Sequence, residues 1–205
     1  MIPKFIYPVC GTLVAVGTAQ ASCSTPYYPV QEGLSRTYQT TVVGKSLSYT
    51  ETLSKVSDNG STYMNSLAPK MSSTFSCNSK GIVGSGQALP AGMKVTSVRG
   101  VTQPPSLKLG TTWTSGMTMK GAINGQAVES SFDIVMKVVG VEKITVKAGT
   151  FNTFKVQGTS ANTMVMGGKK ISQPPAQMTT WIAQGIGTVK SVAANTVTEL
   201  VKYNK

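Results

Sequence analysis

A chain of 205 residues is the length of one domain and can bury a core without depending on disulfides. Only 13% of its residues are charged and none is histidine, which excludes Ser-His-Asp and Cys-His catalysis, His-ligated zinc and the usual proton shuttle. Nineteen Lys and Arg against seven Asp and Glu give +12, yet seventeen of the nineteen are lysines, scattered singly apart from Lys169-Lys170. A nucleic-acid footprint would cluster its cations, use arginine for bidentate contacts and interleave aromatics. Specific nucleic-acid binding is therefore not expected. A solubilising charge, or weak attraction to anionic envelope polymers or headgroups, fits better.

The first stretch, MIPKFIYPVCGTLVAVGTAQASC, places Lys4 before an apolar run from Phe5 to Val16 and ends in Ala19-Gln20-Ala21. These are the n-region, h-region and A-x-A site of a secretory signal peptide, residues 1–21. The apolar run is about 12 residues, too short for a helix to span about 30 Å of bilayer. Without Lys4 the mature chain has eighteen bases against seven acids, +11. Ala21-Ser22-Cys23 also resembles the end of a lipobox, with Cys23 as the lipidated residue, although Gln20 stands where an apolar residue is usual. Cys10 leaves with the signal, so Cys23 and Cys77 remain as a candidate disulfide. A bridge closing residues 23 through 77 is worth about 4 kcal/mol in the chain-entropy model. Lipidation of Cys23 would instead leave Cys77 a lone thiol.

Residues 22–34 are Pro-rich and aromatic without periodicity, an extended lead-in that packs on the domain. From Ser35 the chain alternates. Leu47, Tyr49 and Leu53 share a strand face, and Asn59-Gly60 signals a hairpin. A clearer hairpin turns at Asn124-Gly125: Trp113, Met117, Met119, Gly121 and Ile123 share one face before it, and Val128, Phe132, Ile134, Met136 and Val138 alternate after it. Further strands are expected at 94–99, 141–146, 151–159, 163–166, 177–183, 188–193 and 197–203, with loops at Gly81–Gly92 and Gly167–Pro175. No segment sustains a 3.6-residue period. The expected fold is all-β: an antiparallel meander of nine to twelve strands in one domain, residues 35–205, forming a strongly curved open sheet or half-barrel.

Four segments carry a resemblance: Tyr27-Tyr28-Pro29 with Gly33 and Tyr38; Leu107–Trp113; Val146–Phe151; and Trp181–Lys190, WIAQGIGTVK. In this order they resemble a broad group of exported bacterial proteins of unknown function. Those proteins carry YYP…G…W-x-Y, AGTF…K-V and W-x-x-G-x-G-x-V-K. The chain departs at Arg36, where the group has Trp. The resemblance implies an envelope or lipoprotein-like protein with a curved antiparallel sheet similar to lipoprotein-carrier half-barrels. It implies no catalytic residues.

Chemistry is scarce elsewhere. No Lys has Ser three residues before it, so Ser-x-x-Lys acyl transfer is excluded. Glu129 and Asp133 share a strand face opposite Phe132, Ile134 and Met136, and read as solvent-side charges rather than an acid/base pair. Gly185-Ile186-Gly187 lacks the third glycine and the following helix of a phosphate loop, and reads as a bend or bulge between strands. Met117/Met119 and Met164/Met166 have the spacing of thioether pairs for soft Cu(I), but the same spacing builds an adaptable core or apolar groove. No metal, cofactor or enzymatic activity is expected. Two functions remain. One is a binding or carrier module for an apolar or lipid-like ligand, its groove formed by Trp113, Met117, Met119, Phe132, Ile134, Met136 and Trp181. The other is a structural or interaction protein of the envelope that contacts anionic polymers or a protein partner.

Overall fold

The computed structural model describes residues 23–57, 60–66, 68–86, 92–123 and 125–204. The expected signal segment 1–21, and Asn59 and Asn124 of the two expected hairpin turns, lie outside the described residues. Twelve strands follow in order: β1 Ser35–Val42, β2 Lys45–Ser57, β3 Gly60–Asn65, β4 Ala68–Asn78, β5 Gly81–Gly86, β6 Met93–Gly100, β7 Thr112–Ile123, β8 Gln126–Val146, β9 Gly149–Met166, β10 Lys169–Ala183, β11 Gly187–Ala193 and β12 Thr196–Asn204. No described residue is helical. The β-branched and polar composition, short of acids, suits pleated strands better than amphipathic helices.

All twelve strands form one antiparallel sheet, ordered β5-β4-β3-β2-β1-β12-β11-β10-β9-β8-β7-β6. Every adjacent pair is a sequence-neighbour hairpin except β1–β12, where the two ends of the domain zip together from Ser35↔Asn204 to Val42↔Thr196. The sheet is a nearly closed barrel with one seam, between β5 and β6. The seam is stitched rather than paired: Ile82 N–H donates to the Gln103 carbonyl at 2.8 Å and Thr102 N–H to the Ile82 carbonyl at 2.7 Å. The expected curved meander is thus present, more fully closed than an open sheet.

Two of the expected loops are strands. Gly81–Gly86 is β5, held by β4 along Asn78↔Gly81 to Thr74↔Gly86. Gly167-Gly168 is only a two-residue turn, and Pro174-Pro175 lie inside β10 at a register shift between Gln173 and Ala176. Proline donates no ladder hydrogen bond, so the sheet accommodates the pair at an irregularity. The separate expected strands at 141–146 and 151–159 are continuations of β8 and β9, with a bulge between Val138 and Gly140. Beyond that bulge the β8–β9 hairpin bends back to β12. Ala148 N–H donates to the Leu200 carbonyl at 3.2 Å, and Phe151 meets Tyr203 edge-on.

The core has three centres: Tyr38, Val146, Ala183, Ile186, Val189 and Leu200; Val101, Leu107, Trp113, Val138, Val156 and Ile182; and Val30, Leu34 and Leu53. The lead-in supplies part of it. Val30 and Leu34 are buried, Tyr27 packs on Phe154 and Tyr28 on Phe75. Cys23 and Cys77 form a disulfide with Cα atoms 5.3 Å apart, which fastens the lead-in to β4. The Cys23 sulfur in this bridge cannot also carry a thioether-linked lipid. Replacing Cys77 by Ser is expected to lower unfolding free energy by about 2–4 kcal/mol. Urea denaturation under oxidising conditions checks this, and an unchanged midpoint would show that the bridge does not form in the native protein.

Candidate functional site

The sheet register builds the site. On β7 and β8 the Cα partners are Trp113↔Met136, Ser115↔Ile134, Met117↔Phe132, Met119↔Ser130 and Gly121↔Val128, with no register shift among them. Side chains two apart share a face, so Trp113, Met117, Met119, Phe132, Ile134 and Met136 form one surface. β6 and β9 extend it: Val98 partners Met117, Val95 partners Met119, and Met164 partners Ser130. On β10, Ile171 partners Met164 and is 47% exposed. Met117, Met119, Phe132 and Ile134 are all half-buried. They form an apolar wall left partly open rather than a filled core.

At its lower end the wall runs into a cavity of about 380 Å³, where Trp113 and Met136 line one side. Gly158 sits between Met136 and Met178, and a Cβ there would come within 2.5 Å of the Met136 sulfur. The missing side chain lets both thioethers approach across β9. The cavity's opposite side is polar and comes from the other arc of the barrel: Arg36 and Tyr38 on β1, Tyr49 and Glu51 on β2, Ser73 and Phe75 on β4, and Thr102 and Gln103 in the seam. Thr180, Ser191 and Thr198 continue the polar lining across β10–β12.

This polar floor was not foreseen, although its signal is present. Arg36-x-Tyr38 and Tyr49-x-Glu51 are i, i+2 pairs disposed evenly about Val43-Gly44. A two-residue hairpin there sets Arg36 opposite Glu51 and Tyr38 opposite Tyr49, as the register confirms. Arg36 is only 5% exposed, and its Nη2 lies 3.4 Å from the Pro29 carbonyl, to which it donates. Burial pushes the Glu51 carboxyl above its usual range, and the Arg36 charge opposes that rise. The Tyr49 phenol is pushed up to about 12, first by burial and then by the Glu51 charge, with a Thr40 hydrogen bond pulling the other way. Tyr38 Oη donates to the Thr188 carbonyl at 3.0 Å. Gln103 is 7% exposed, and its buried amide nitrogen has no hydrogen-bond partner among the described residues.

Trp181 does not join this surface. Its neighbour Ile182 lines the cavity, and adjacent strand residues point to opposite faces. Trp181 therefore faces away, donating from Nε1 to Glu142 and lying between Lys155 and Lys190, whose ammonium groups are 5.5 and 5.8 Å from its ring. Those lysines pair with Glu142 and Glu199 at 3.5 and 2.7 Å. The Trp181 hydrogen bond, more than Lys155, holds the Glu142 carboxyl below its usual range. Trp181 is half-buried and packs against the core centre that contains Val146 and Ala183, with its indole edge clamped by Glu142 and the two lysines. Its parity relative to Trp113 follows from the register Met136↔Gly158↔Met178 across three strands, which sequence alternation alone does not reveal.

The Gly-Ile-Gly turn after Trp181 is also architectural. Gly185 N–H donates to the Pro26 carbonyl at 2.7 Å. Gly187, at φ +95°, leaves 3.6 Å between a would-be Cβ and both the Arg36 guanidinium carbon and the Tyr27 carbonyl oxygen. Thus the YYP segment and the G-x-G segment, far apart in sequence, meet beside Arg36. Glu129 and Asp133 lie on the face opposite the wall, paired with Lys120 at 3.1 Å and Arg99 at 2.8 Å. Among the described residues no group of three acids, Cys or His is placed to hold a metal.

With this geometry in view, the relatives can be placed. Residues 105–205 match the DUF3108-like family. That segment spans β7–β12, the arc that carries the apolar wall. Two solved structures are similar over 88% of this chain. One is a candidate exported protein with a YmcC-like fold from Bacteroides fragilis, covered over its full length at 16% identity and a TM-score of 0.57. The other is a candidate lipoprotein from Parabacteroides distasonis, covered over 99% at 14% identity and a TM-score of 0.51. No curated protein sequence matches the chain. The sequence resemblance to exported bacterial proteins and lipoproteins of unknown function is therefore real, and the shared fold is YmcC-like.

Glu51 yields a pH prediction. Its folded pKa lies above its unfolded value near 4.5, so the group favours folding most at low pH. That contribution is lost as pH rises through the folded pKa and a buried carboxylate forms. Glu51→Gln should therefore gain stability relative to the parent between pH 4 and pH 8. Thermal melts across that range check it, and parallel profiles would refute it.

Proposed function

We propose that this chain is an exported, non-catalytic binding or carrier module for an apolar or lipid-like molecule. The observation that supports the reading most is the half-buried wall of Met117, Met119, Phe132 and Ile134 running into the cavity beside Trp113 and Met136. Apolar side chains in a single-domain protein are ordinarily covered, and a contiguous open set beside a cavity marks a binding surface. Methionine suits such a wall, since its unbranched thioether adapts to a flexible ligand. The signal-like first 21 residues support export. The outward face of β8 mixes Glu129, Asp133 and Lys137 with the exposed Val135.

A second reading rests on charge. Lys94, Lys120, Lys137 and Lys143 are exposed on β6–β8, and a +11 mature chain is attracted to anionic envelope polymers. The two readings are compatible, since Lys94, Lys120 and Lys137 lie on the face opposite the wall.

Native mass spectrometry of protein purified from its own host tests the first reading. The expected spectrum contains a hydrophobic adduct that denaturation releases. Titration with Nile red adds a quantitative arm: Met117→Asp with Ile134→Asp is expected to weaken dye binding at least about tenfold while leaving the melting temperature close to that of the parent. Equal dye binding by the double variant would remove the wall from consideration.

A further inference from the structure

The Gln103 amide says more about the ligand than the wall does. We propose that the site takes a neutral acyl ester, its alkyl chain along the Met117–Phe132–Ile134 wall and its carbonyl oxygen accepting from the Gln103 amide. This rests on the binding reading above and deepens it.

The charged groups that line the cavity are engaged within the protein. Arg36 and Glu51 are Cα partners across β1–β2, and Arg36 Nη2 also donates to the Pro29 carbonyl at 3.4 Å. Several neutral lining groups are engaged as well. Tyr38 Oη donates to the Thr188 carbonyl at 3.0 Å, the Thr198 hydroxyl is bonded to the Thr40 hydroxyl at 2.8 Å, and the Thr102 hydroxyl accepts from Gly84 N–H at 2.9 Å. Gln103 differs. It is more than nine-tenths buried, lines the same cavity, and its amide nitrogen has no hydrogen-bond partner among the described residues. A buried donor left unmatched costs free energy, so a ligand acceptor that reaches it gains affinity.

The wall leads to this donor. Trp113 Nε1 donates to the Thr102 carbonyl at 3.2 Å, so the indole lies against the backbone next to Gln103. Trp113 is the Cα partner of Met136. From Phe132 through Ile134 to Met136 the strand advances about 13 Å with one face toward the ligand. An extended chain laid along that face ends beside Gln103.

The chemistry of the donor selects the headgroup. An ester carries acceptors and no donor, so its carbonyl meets Gln103 without stranding a group of its own. A fatty alcohol brings an O–H that needs an acceptor in turn. A carboxylate or phosphate brings a charge whose desolvation calls for a counter-charge, and Arg36 already faces Glu51.

Gln103 is a useful handle because its backbone, not its side chain, holds the seam: its carbonyl accepts from Ile82 N–H at 2.8 Å. Gln103→Leu leaves that bond in place.

The test is calorimetric titration of the delipidated full mature chain with methyl laurate, its carbonyl-free counterpart methyl dodecyl ether, and lauric acid. The ester is expected to bind at least about tenfold tighter than the ether or the acid. Gln103→Leu should lower ester affinity to that of the ether and leave ether affinity unchanged. Infrared spectra of an isotopically labelled ester carbonyl add an arm that needs no variant: its stretch should move to lower frequency in the parent complex, as an accepted hydrogen bond requires. Equal affinities for ester and ether, or an unmoved stretch, would overturn the carbonyl assignment and leave the binding module intact. Tighter binding of laurate than of the ester would overturn the neutral class. An ester preference that survives in Gln103→Leu would overturn Gln103 as the donor. No binding of any probe would overturn both this proposal and the binding reading beneath it.

Discussion

The pairing of β1 with β12 is the constraint on which the rest of the molecule depends. Every other strand pair is a local hairpin, cheap in loop entropy and able to form independently. The β1–β12 ladder closes a loop spanning nearly the whole domain, from Ser35 to Asn204. It joins two arcs, β1–β5 and β6–β12, that would otherwise be separate curved sheets. It also decides where the barrel stays open: once β1 and β12 are paired, the free edges among the described strands are β5 and β6. The disulfide reinforces the same closure from the N-terminal side by tying the lead-in to β4.

The cavity is a product of that closure, because its two sides come from different arcs. The apolar side belongs to β7, β8 and β10, within the segment that matches the DUF3108-like family. The polar floor of Arg36, Glu51 and Gln103 lies outside that segment. The apolar wall and the floor of Arg36, Glu51 and Gln103 are therefore separable in sequence, and the β1–β12 zipper and the seam bring them together. The YYP and G-x-G segments serve this joint directly. Their contact at Pro26–Gly185 holds the lead-in over the β10–β11 turn, and Gly187 leaves room for the guanidinium of Arg36.

What the sequence discloses and what it hides divide along a physical line. Period-two alternation from Trp113 to Val138 is a local property, so the wall and its hairpin are legible residue by residue. Relative parity between distant strands is not local. Trp181 alternates as cleanly as Trp113 does, but only the register across β8, β9 and β10, Met136↔Gly158↔Met178, puts it on the opposite face from Trp113, while the bulge at Val138/Gly140 brings Glu142 round to meet it. Glycine- and proline-rich composition misleads in the same way. Gly81–Gly86 and the Pro174-Pro175 segment read as loops, but ladder partners on β4 and β9 hold them as strand. The facing of Arg36 by Glu51 lay within reach, since it follows from one hairpin. The arrival of Gln103 beside them did not, since it needs the seam.

That seam explains why polar groups can stay buried here at all. A fully closed barrel of this kind would satisfy its seam residues through a continuous ladder and fill its interior with side chains. Here the backbones of Ile82, Thr102 and Gln103 stitch β5 to the segment after β6, Gly84 N–H donates to the Thr102 hydroxyl at 2.9 Å, and the Gln103 side chain lines the cavity. An unmatched buried amide is a poor way to stabilise an empty protein: the donor loses its water and gains nothing in return. Replacing Gln103 by an apolar residue should cost the empty protein little stability. The free energy that its amide forgoes in the empty state is recovered only when an acceptor enters. The floor is intelligible as a binding feature and hard to account for as a packing one.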